Sequence, residues 1–274
     1  MKSAVTTVAC IGLSLSTGAV PLLAQMQNNA EKQMTCDNRG FDGNRSRHCE
    51  IREQALASVG SLSVEGHNGG AAVKGWLRSD VLVRARVDAV ADTQSSADLL
   101  AGRVSVDTGG GQVHSMGPDH LEDSWWSVSY EIFVPQTTDL SVKTHNGGVT
   151  ISDVRGQIRF STHNGGVHLK RVAGDVGGDT HNGGIEVELA GSIWDGRQLE
   201  VSAYNGGITL AAPAGLSAHV QAETSNGRIQ SDFPITVTGE VRPRRLDTNI
   251  GSGGPLIHLT THNGQVTLKR AGSQ

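Results

Sequence analysis

Apolar residues alternate with polar ones along many short stretches of the chain, which is the pattern of β-strands with one buried face. The clearest stretches are residues 61–64, 81–87 and 126–134, and Pro135 closes the last of them. Short polar segments that carry Asn and Gly interrupt the alternation again and again. This pattern predicts an all-β protein.

The Asn-Gly segment is a repeat. The motif T-H-N-G-G-[VI] occurs at residues 144–149, 162–167 and 180–185, so the asparagines are 18 residues apart each time. Looser copies begin at positions 203, 224 and 261, and upstream copies lie at residues 67–70 and, in degenerate form, 107–110. A repeat of this length predicts a β-solenoid, a single-stranded β-helix or β-roll, with rungs of about 18–23 residues and an Asn-Gly-Gly corner.

Strand alternation assigns the two faces of a rung. Stepping back by two from Asn146 reaches Thr144 and Val142, and the other copies have equivalent residues there, so this column is expected to point inward. An inward amide needs a hydrogen-bond partner, and stacked asparagines provide it as a structural ladder rather than as a ligand site. The predicted ladder is Asn146, Asn164, Asn182, Asn205, Asn226 and Asn263. The glycines that follow are expected to supply a positive φ at the bend.

Antiparallel hairpins are the alternative, because Asn-Gly is also a strong hairpin signal. A hairpin would pair Val142 with Ile151 and Thr144 with Val149. The solenoid is favoured because the same residue types recur at equal rung positions, as parallel in-register stacking requires. A meander of hairpins has no need of a constant period.

Two segments fall outside the alternation. Residues 91–100 are small and polar and predict a loop, and residues 231–256 carry Pro and Gly and predict an insertion between the last two rungs. A solenoid also needs its open ends covered. We therefore predict an amino-terminal cap segment at residues 25–55 and the solenoid domain at residues 56–274.

The amino terminus has the features of a secretory signal. Lys2 precedes an apolar run at residues 4–23, and Ala24 follows as a small residue before a polar stretch. The run is short and broken by small polar residues, which disfavours a retained membrane anchor. We predict a signal peptide at residues 1–24, and Cys10 is expected to be removed with it.

Two cysteines remain in the mature chain, Cys36 and Cys49. An exported chain with one cysteine pair most simply forms one disulfide, so we predict a Cys36–Cys49 bond in the cap segment. The alternative is a zinc site that also uses His48. The adjacent His48 and Cys49 are awkward co-ligands, and export favours oxidation.

Composition narrows the possible partners. The chain has 36 glycines, 4% aromatic residues and a net charge of −4, with acidic and basic residues interspersed. A nucleic-acid surface needs a basic stripe, and the sequence has none. No second apolar run reaches the length of a membrane span. We therefore expect no nucleic-acid partner and no transmembrane segment in the mature chain.

The outward histidines form the one group of side chains in the sequence that resembles a binding site. The row consists of His145, His163 and His181 on three successive rungs, continued by Tyr204, Ser225 and His262. Imidazoles at strand spacing are potential metal ligands, and the alternative is a stacked ring ladder on a solvated face. Among acids and cysteines, only Asp179 accompanies the row. We therefore predict no metal and no cofactor, with His145, His163 and His181 as the candidates if a metal binds.

Three features of the chain occur together: Y-E-I-F-V-P at residues 130–135, the tandem T-x-N-G-G-[VI] rungs, and G-S-G-G-P at residues 251–255 before the last T-H-N-G. In these features the chain resembles the bacterial putative-adhesin domain family, head-GIN-like and Gly-rich. The resemblance covers residues 56–270. It implies a β-solenoid of the cell envelope whose activity is mostly unknown, and it offers no catalytic residues to carry over.

The distribution of acids bears on catalysis. Enzymes on solenoids often cleave polysaccharides with carboxylates on one face, but acids here are scattered and never paired across adjacent rungs. No G-x-S-x-G motif is present either. We predict an exported binding or scaffolding protein of the periplasm, cell surface or medium, with an envelope glycan or another envelope protein as partner. The alternative is a carbohydrate-active enzyme, a polysaccharide lyase or hydrolase on a β-helix.

Overall fold

The computed structural model describes residues 34–36, 45–119, 123–234 and 243–271. Within these ranges the chain is an all-β, solenoid-like protein, as predicted. Its strands are β1 Ser46–Leu56, β2 Ser61–Asn68, β3 Ala71–Trp76, β4 Val81–Ala91, β5 Ser105–Asp107, β6 Gln112–Met116, β7 Trp125–Pro135, β8 Asp139–Asn146, β9 Val149–Ser152, β10 Arg155–Asn164, β11 Val167–Asn182, β12 Ile185–Leu189, β13 Gln198–Asn205, β14 Ile208–Ala212, β15 Ala218–Asn226, β16 Ile229–Ser231, β17 Arg245–Ile250, β18 Leu256–Asn263 and β19 Val266–Arg270. One α-helix, α1, spans Gln94–Arg103. The signal peptide predicted at residues 1–24 lies outside the described residues.

Most strands belong to two parallel walls that enclose the core. Wall 1 contains β2, β8, β10, the second half of β11, β13, β18 and β15. Wall 2 contains β3, β9, the first half of β11, β12, β14, β19 and β16. Each rung contributes one strand to each wall, and equivalent residues pair, as Thr162 does with Thr144. Val142 pairs with Phe160 of the next rung, so the hairpin alternative is wrong.

The rungs do not stack in chain order at either end. The first rung, β2 and β3, lies between the rung of β6 and β7 and the rung of β8 and β9. The last rung, β18 and β19, lies between β13/β14 and β15/β16. The terminal rungs are thus each enclosed by a neighbour on both sides. Residues 231–256 are more than an insertion, because they include β17, which pairs antiparallel with β15.

Antiparallel strands cover the amino-terminal end of wall 2. β4 pairs with β7, and β1 pairs with β4. β1 runs across the boundary predicted between residues 55 and 56, and its Cys49 forms the predicted disulfide with Cys36. The degenerate repeat at residues 107–110 is not a corner, since it leads from β5 into its antiparallel partner β6.

The loop predicted at residues 91–100 is wrong, because α1 occupies most of it. Thr93 begins the helix: its side chain accepts a hydrogen bond from the Ser96 amide, which satisfies one of the free N–H groups of the first turn. Ala97 and Leu100 are buried. In the part of the chain that is described, no helix has the length and apolar character that a bilayer span requires.

Candidate functional site: the ring row and its groove

The corner between the two walls is set by backbone packing. A Cβ on Gly165 would lie 2.3 Å from the Gly147 carbonyl oxygen of the preceding rung, and one on Gly183 would lie 2.1 Å from that of Gly165. The expected positive φ is not the general reason for these glycines. Among the described corners, Gly69 has a φ of +128°, whereas Gly183, at +158°, is close to extended. Glycine is required because a main-chain oxygen occupies the place of its side chain.

A buried threonine precedes five of the seven Asn-Gly corners and completes the contact. Thr162 Oγ1 donates to the Gly147 carbonyl oxygen over 3.0 Å, and Thr180 Oγ1 donates to that of Gly165 over 2.9 Å. Both threonines are 2% exposed, so their hydroxyls need this partner. The rung of β13 has Ala203 at this position.

The asparagine amides form a continuous ladder along the corner. Asn164 Nδ2 donates to Asn146 Oδ1 over 2.8 Å, and Asn182 Nδ2 donates to Asn164 Oδ1 over 2.8 Å. In spatial order the ladder is Asn68, Asn146, Asn164, Asn182, Asn205, Asn263 and Asn226. The expected inward orientation is wrong, since all but the half-buried Asn68 are exposed. After the buried Thr162, both His163 and Asn164 are exposed, so the alternation of buried and exposed residues ends at the threonine.

The outward histidines stack face to face. Ring centroids of His145 and His163 are 4.9 Å apart, those of His163 and His181 are 4.8 Å apart, and both pairs are within 2° of parallel. The ring row, in spatial order, is His67, His145, His163, His181, Tyr204 and His262. The row is continuous because the last rung brings His262 next to Tyr204, while Ser225 lies one rung further out.

This stacking places the imidazoles poorly for sharing a metal. An ion needs ligand nitrogens at about 2.0–2.1 Å and near the plane of each ring, and parallel planes 4.8 Å apart do not converge on such a point. Across the described ranges, no group of three or more His, Cys, Asp or Glu side chains has a metal-binding arrangement. The rings of His145, His163 and His181 instead present their edges to solvent.

A groove runs along wall 1 beside the ring row. Its floor is made by the short polar side chains of Ser161, Asp179, Ser202 and Thr260, and the ring row forms one side. The groove consists of two parts, of about 560 and 410 Å³, which share Asp179 and His181. Ser161 Oγ donates to Asp179 Oδ2 over 3.2 Å.

Charges in the groove are mixed. Glu65 and Lys143 are register neighbours at its amino-terminal end, and Asp179 lies near its middle. A smaller depression of about 280 Å³ adjoins the floor over Gly177, between Arg159 and Glu200. The aligned rungs of the sequence place Ser161, Asp179, Ser202 and Thr260 in one outward row. The groove does not follow from that row alone, because it also depends on the ring row that stands beside it.

Among the described residues, the outer face of wall 2 has no such row. On wall 2, His168 is exposed and its Nδ1 lies 3.1 Å from Glu186 Oε2 of the next rung. The acids of this wall are spread over its outer surface, and Glu186 and Glu188 belong to one strand. His168 therefore serves as a matched reference for the histidines of the ring row.

The sequence matches the Toastrack DUF4097 family over residues 52–269. No curated protein matches it. Among solved structures, a putative cell adhesion protein from Clostridium sporogenes is similar, with a TM-score of 0.43 and 10% identity over 81% of this chain and 100% of that one. A putative adhesin from Bacteroides fragilis has a TM-score of 0.33 and 11% identity over 81% and 97% of the two chains. A putative lipid binding protein from Parabacteroides distasonis has a TM-score of 0.28 and 9% identity over 80% and 96%.

Proposed function

The chain belongs to the Toastrack DUF4097 family, and we propose that it is an exported, non-catalytic binding protein of the cell envelope that holds an extended glycan in the groove beside the ring row. In this proposal the fold is a single-stranded β-solenoid whose Asn-Gly-Gly corners keep the rungs in register. The ring row and its groove carry the proposal.

The disulfide supports export. Cys36 and Cys49 are bonded in the segment that precedes β2. Disulfides form and persist in oxidising compartments and are rare in the cytosol. Together with the signal peptide expected at residues 1–24, the bond favours the periplasm, the cell surface or the medium.

The ring row suits a long polymer. Its members repeat every 4.8–5.3 Å, and their faces are covered by one another, so mainly ring edges remain for a ligand. Each neutral imidazole edge offers one donor and one acceptor, and the floor adds hydroxyls and a carboxylate. A chain of sugars presents hydroxyls at a similar repeat. The row therefore fits a ligand that makes many equivalent polar contacts.

The charge pattern favours a neutral glycan over other polymers. Lys143 is opposed by Glu65 and Asp179, so the groove lacks the positive potential that attracts nucleic acids or acidic polysaccharides. A peptide strand usually binds by adding to an open sheet edge. Here the main chain of wall 1 is already paired on both sides along the groove, as for β10 between β8 and β11.

We propose that the protein binds this glycan without cleaving it. Glycosidases place two carboxyl groups on either side of the scissile bond. On the groove floor Asp179 has Ser161 and Ser202 as its register neighbours. A single carboxylate there serves as a hydrogen-bond acceptor.

Co-sedimentation of the mature protein with a panel of insoluble and soluble envelope polysaccharides tests this proposal. We expect at least one neutral glycan to be retained, and binding to fall about tenfold or more in the His163→Ala/His181→Ala double variant. The control is His168→Ala, which alters an exposed histidine on wall 2 and should bind like the wild type. Equal binding by the wild type and the double variant would contradict the proposal. Release of new reducing ends or unsaturated sugars would favour the enzyme instead.

A further inference from the structure

Every corner of the solenoid carries a chemically labile pair. In an Asn-Gly sequence the glycine nitrogen can attack the asparagine side-chain carbonyl, because no Cβ hinders its approach. The chain repeats this pair at seven corners, which differ in their surroundings but not in the residue after Asn. Differences in reaction rate among these corners should therefore come from the surrounding structure.

Six of the corners restrain the attacking nitrogen. The N–H of the first glycine donates to the asparagine carbonyl oxygen of the next rung, as Gly147 does to Asn164 and Gly165 does to Asn182, both over 2.9 Å. The donors of this set are Gly69, Gly147, Gly165, Gly183, Gly206 and Gly264. The N–H bond is thus held away from the side chain of its own asparagine, in a backbone contact that repeats from rung to rung.

Asn226 and Gly227 stand at the end of the ladder. Within the described ranges no acceptor is found for the Gly227 N–H, and Gly227 is exposed whereas the first glycines of the other six corners are half-buried. The neighbouring carbonyl oxygens of Arg244 and Pro243 accept from Thr224 and Ile229 instead. The Asn226 amide has one ladder partner, Asn263, at 2.8 Å.

We propose that Asn226 is a site of spontaneous deamidation and that the ladder protects the other six asparagines. The Gly227 nitrogen attacks Cγ of Asn226, forming an N–Cγ bond as its proton passes to solvent. The Cγ–Nδ2 bond breaks, and the side-chain nitrogen leaves as ammonia. Water then opens the cyclic imide to aspartate or isoaspartate. No oxidant or reductant takes part.

The product weakens the next corner. A carboxylate at position 226 cannot donate to Asn263 Oδ1, and isoaspartate also adds a methylene to the main chain of the corner. In the intact protein the Gly264 N–H donates a hydrogen bond to the Asn226 carbonyl oxygen over 3.1 Å. Displacing that oxygen frees the nitrogen that attacks Asn263. Deamidation should therefore proceed inward, from Asn226 to Asn263 and then to Asn205.

Peptide mapping by tandem mass spectrometry during incubation in mildly alkaline buffer tests the proposal. In the folded protein we expect conversion at Asn226 about tenfold faster than at Asn146, Asn164 or Asn182, because those require local opening. In urea all seven sites should react at similar rates. Equal rates in the folded protein, or a central site that reacts first, would overturn the proposal.

Two variants test the inward order. Asn226→Asp mimics the product and should accelerate deamidation at Asn263. Asn68→Asp places the same change at the other end of the ladder, where Gly147 still donates to Asn164, and should leave the rate at Asn146 unchanged. An unchanged rate at Asn263 in Asn226→Asp would contradict the order.

Discussion

The two edges of the solenoid, where one wall passes into the other, are held together in different ways. At the Asn-Gly-Gly edge, close main-chain contacts are joined by the asparagine ladder and the stacked rings. The carbonyl oxygen of Gly147 occupies the space of a Cβ on Gly165, and the Gly147 N–H donates to Asn164 over 2.9 Å. Such contacts fix the residue type at each position, because a side chain cannot be added without moving the backbone.

At the opposite edge main chains also touch, since a Cβ on Gly174 would lie 2.4 Å from the Gly156 carbonyl oxygen, but the side chains that join the rungs form ion pairs. Arg171 Nε lies 2.6 Å from Asp153 Oδ1, and Arg197 Nη2 lies 2.6 Å from Asp175 Oδ2. Rungs also differ in length at this edge, since Asn182 and Asn205 are 23 residues apart instead of 18. Long flexible side chains bridge rungs of unequal length. Main-chain contact therefore selects glycine at both edges, but the Asn-Gly-Gly edge adds an asparagine ladder that continues through seven corners.

Alanine at the first corner glycine should cause the largest loss of stability, and alanine at the second glycine should cause almost none. Gly165→Ala places a Cβ 2.3 Å from a backbone oxygen, whereas the nearest atom to a Cβ on Gly166 is His168 Nε2 at 3.5 Å. We expect Gly165→Ala to lower the free energy of unfolding by about 2–3 kcal/mol and Gly166→Ala to change it by less than about 0.5 kcal/mol. Urea unfolding measures both.

The sequence itself supports this contrast. Arg228 and Gln265 occupy the second glycine position in two corners, and their first positions remain Gly227 and Gly264. Equal destabilisation by the two alanine variants would mean that steric exclusion by the Gly147 oxygen is not what selects glycine.

Asn164→Ala should cause the next largest loss of stability. It removes two ladder hydrogen bonds, one donated to Asn146 and one accepted from Asn182, at a cost of about 1–2 kcal/mol. His163→Ala removes exposed stacking contacts and should cost less. Thermal melts of the two variants decide the order, and a larger loss with His163→Ala would show that the rings rather than the amides hold the edge.

Substitutions in the threonine column should lower or raise stability, depending on whether they remove or add a hydroxyl. Thr162→Val keeps the shape but removes the hydroxyl bonded to the Gly147 oxygen, and should cost about 1 kcal/mol. Ala203→Thr adds a hydroxyl at this position in the rung of β13, and should stabilise by up to about 1 kcal/mol. Urea midpoints test both changes. Destabilisation by Ala203→Thr would show that this corner has no room for the side chain.

Removing an ion pair of the opposite edge should change stability least. The side-chain hydrogen bond from Arg197 lowers the pKa of Asp175 below its usual value. A lowered pKa stabilises the fold above the unfolded-state pKa, and the contribution is lost as pH falls through the folded one. Arg197→Ala should raise the pKa of Asp175 and leave the melting temperature at neutral pH almost unchanged, because exposed ion pairs contribute little. Carboxyl NMR titration and a melt test this, and a large drop in melting temperature would contradict it.

Much of the fold follows from the sequence because each column stacks on copies of itself. The apolar columns around Val142 and Ile151 are buried as their alternation indicates. The stacking order of the terminal rungs cannot be predicted from the sequence. The T-H-N-G segment at residues 261–264 pairs equally well with the rung of β13 and the rung of β15. The exposure of Asn164 does not follow from alternation either, because His163 and Asn164 are both exposed after the buried Thr162.

Ligand protection of individual histidines tests glycan binding in the groove beside the ring row most directly. Diethyl pyrocarbonate acylates accessible imidazoles, and mass spectrometry reports each position separately. With the glycan retained in co-sedimentation bound, we predict reduced labelling of His145, His163 and His181, while His168 on wall 2 stays fully reactive. Unchanged labelling of the ring row, or equal protection of His168, would contradict the account.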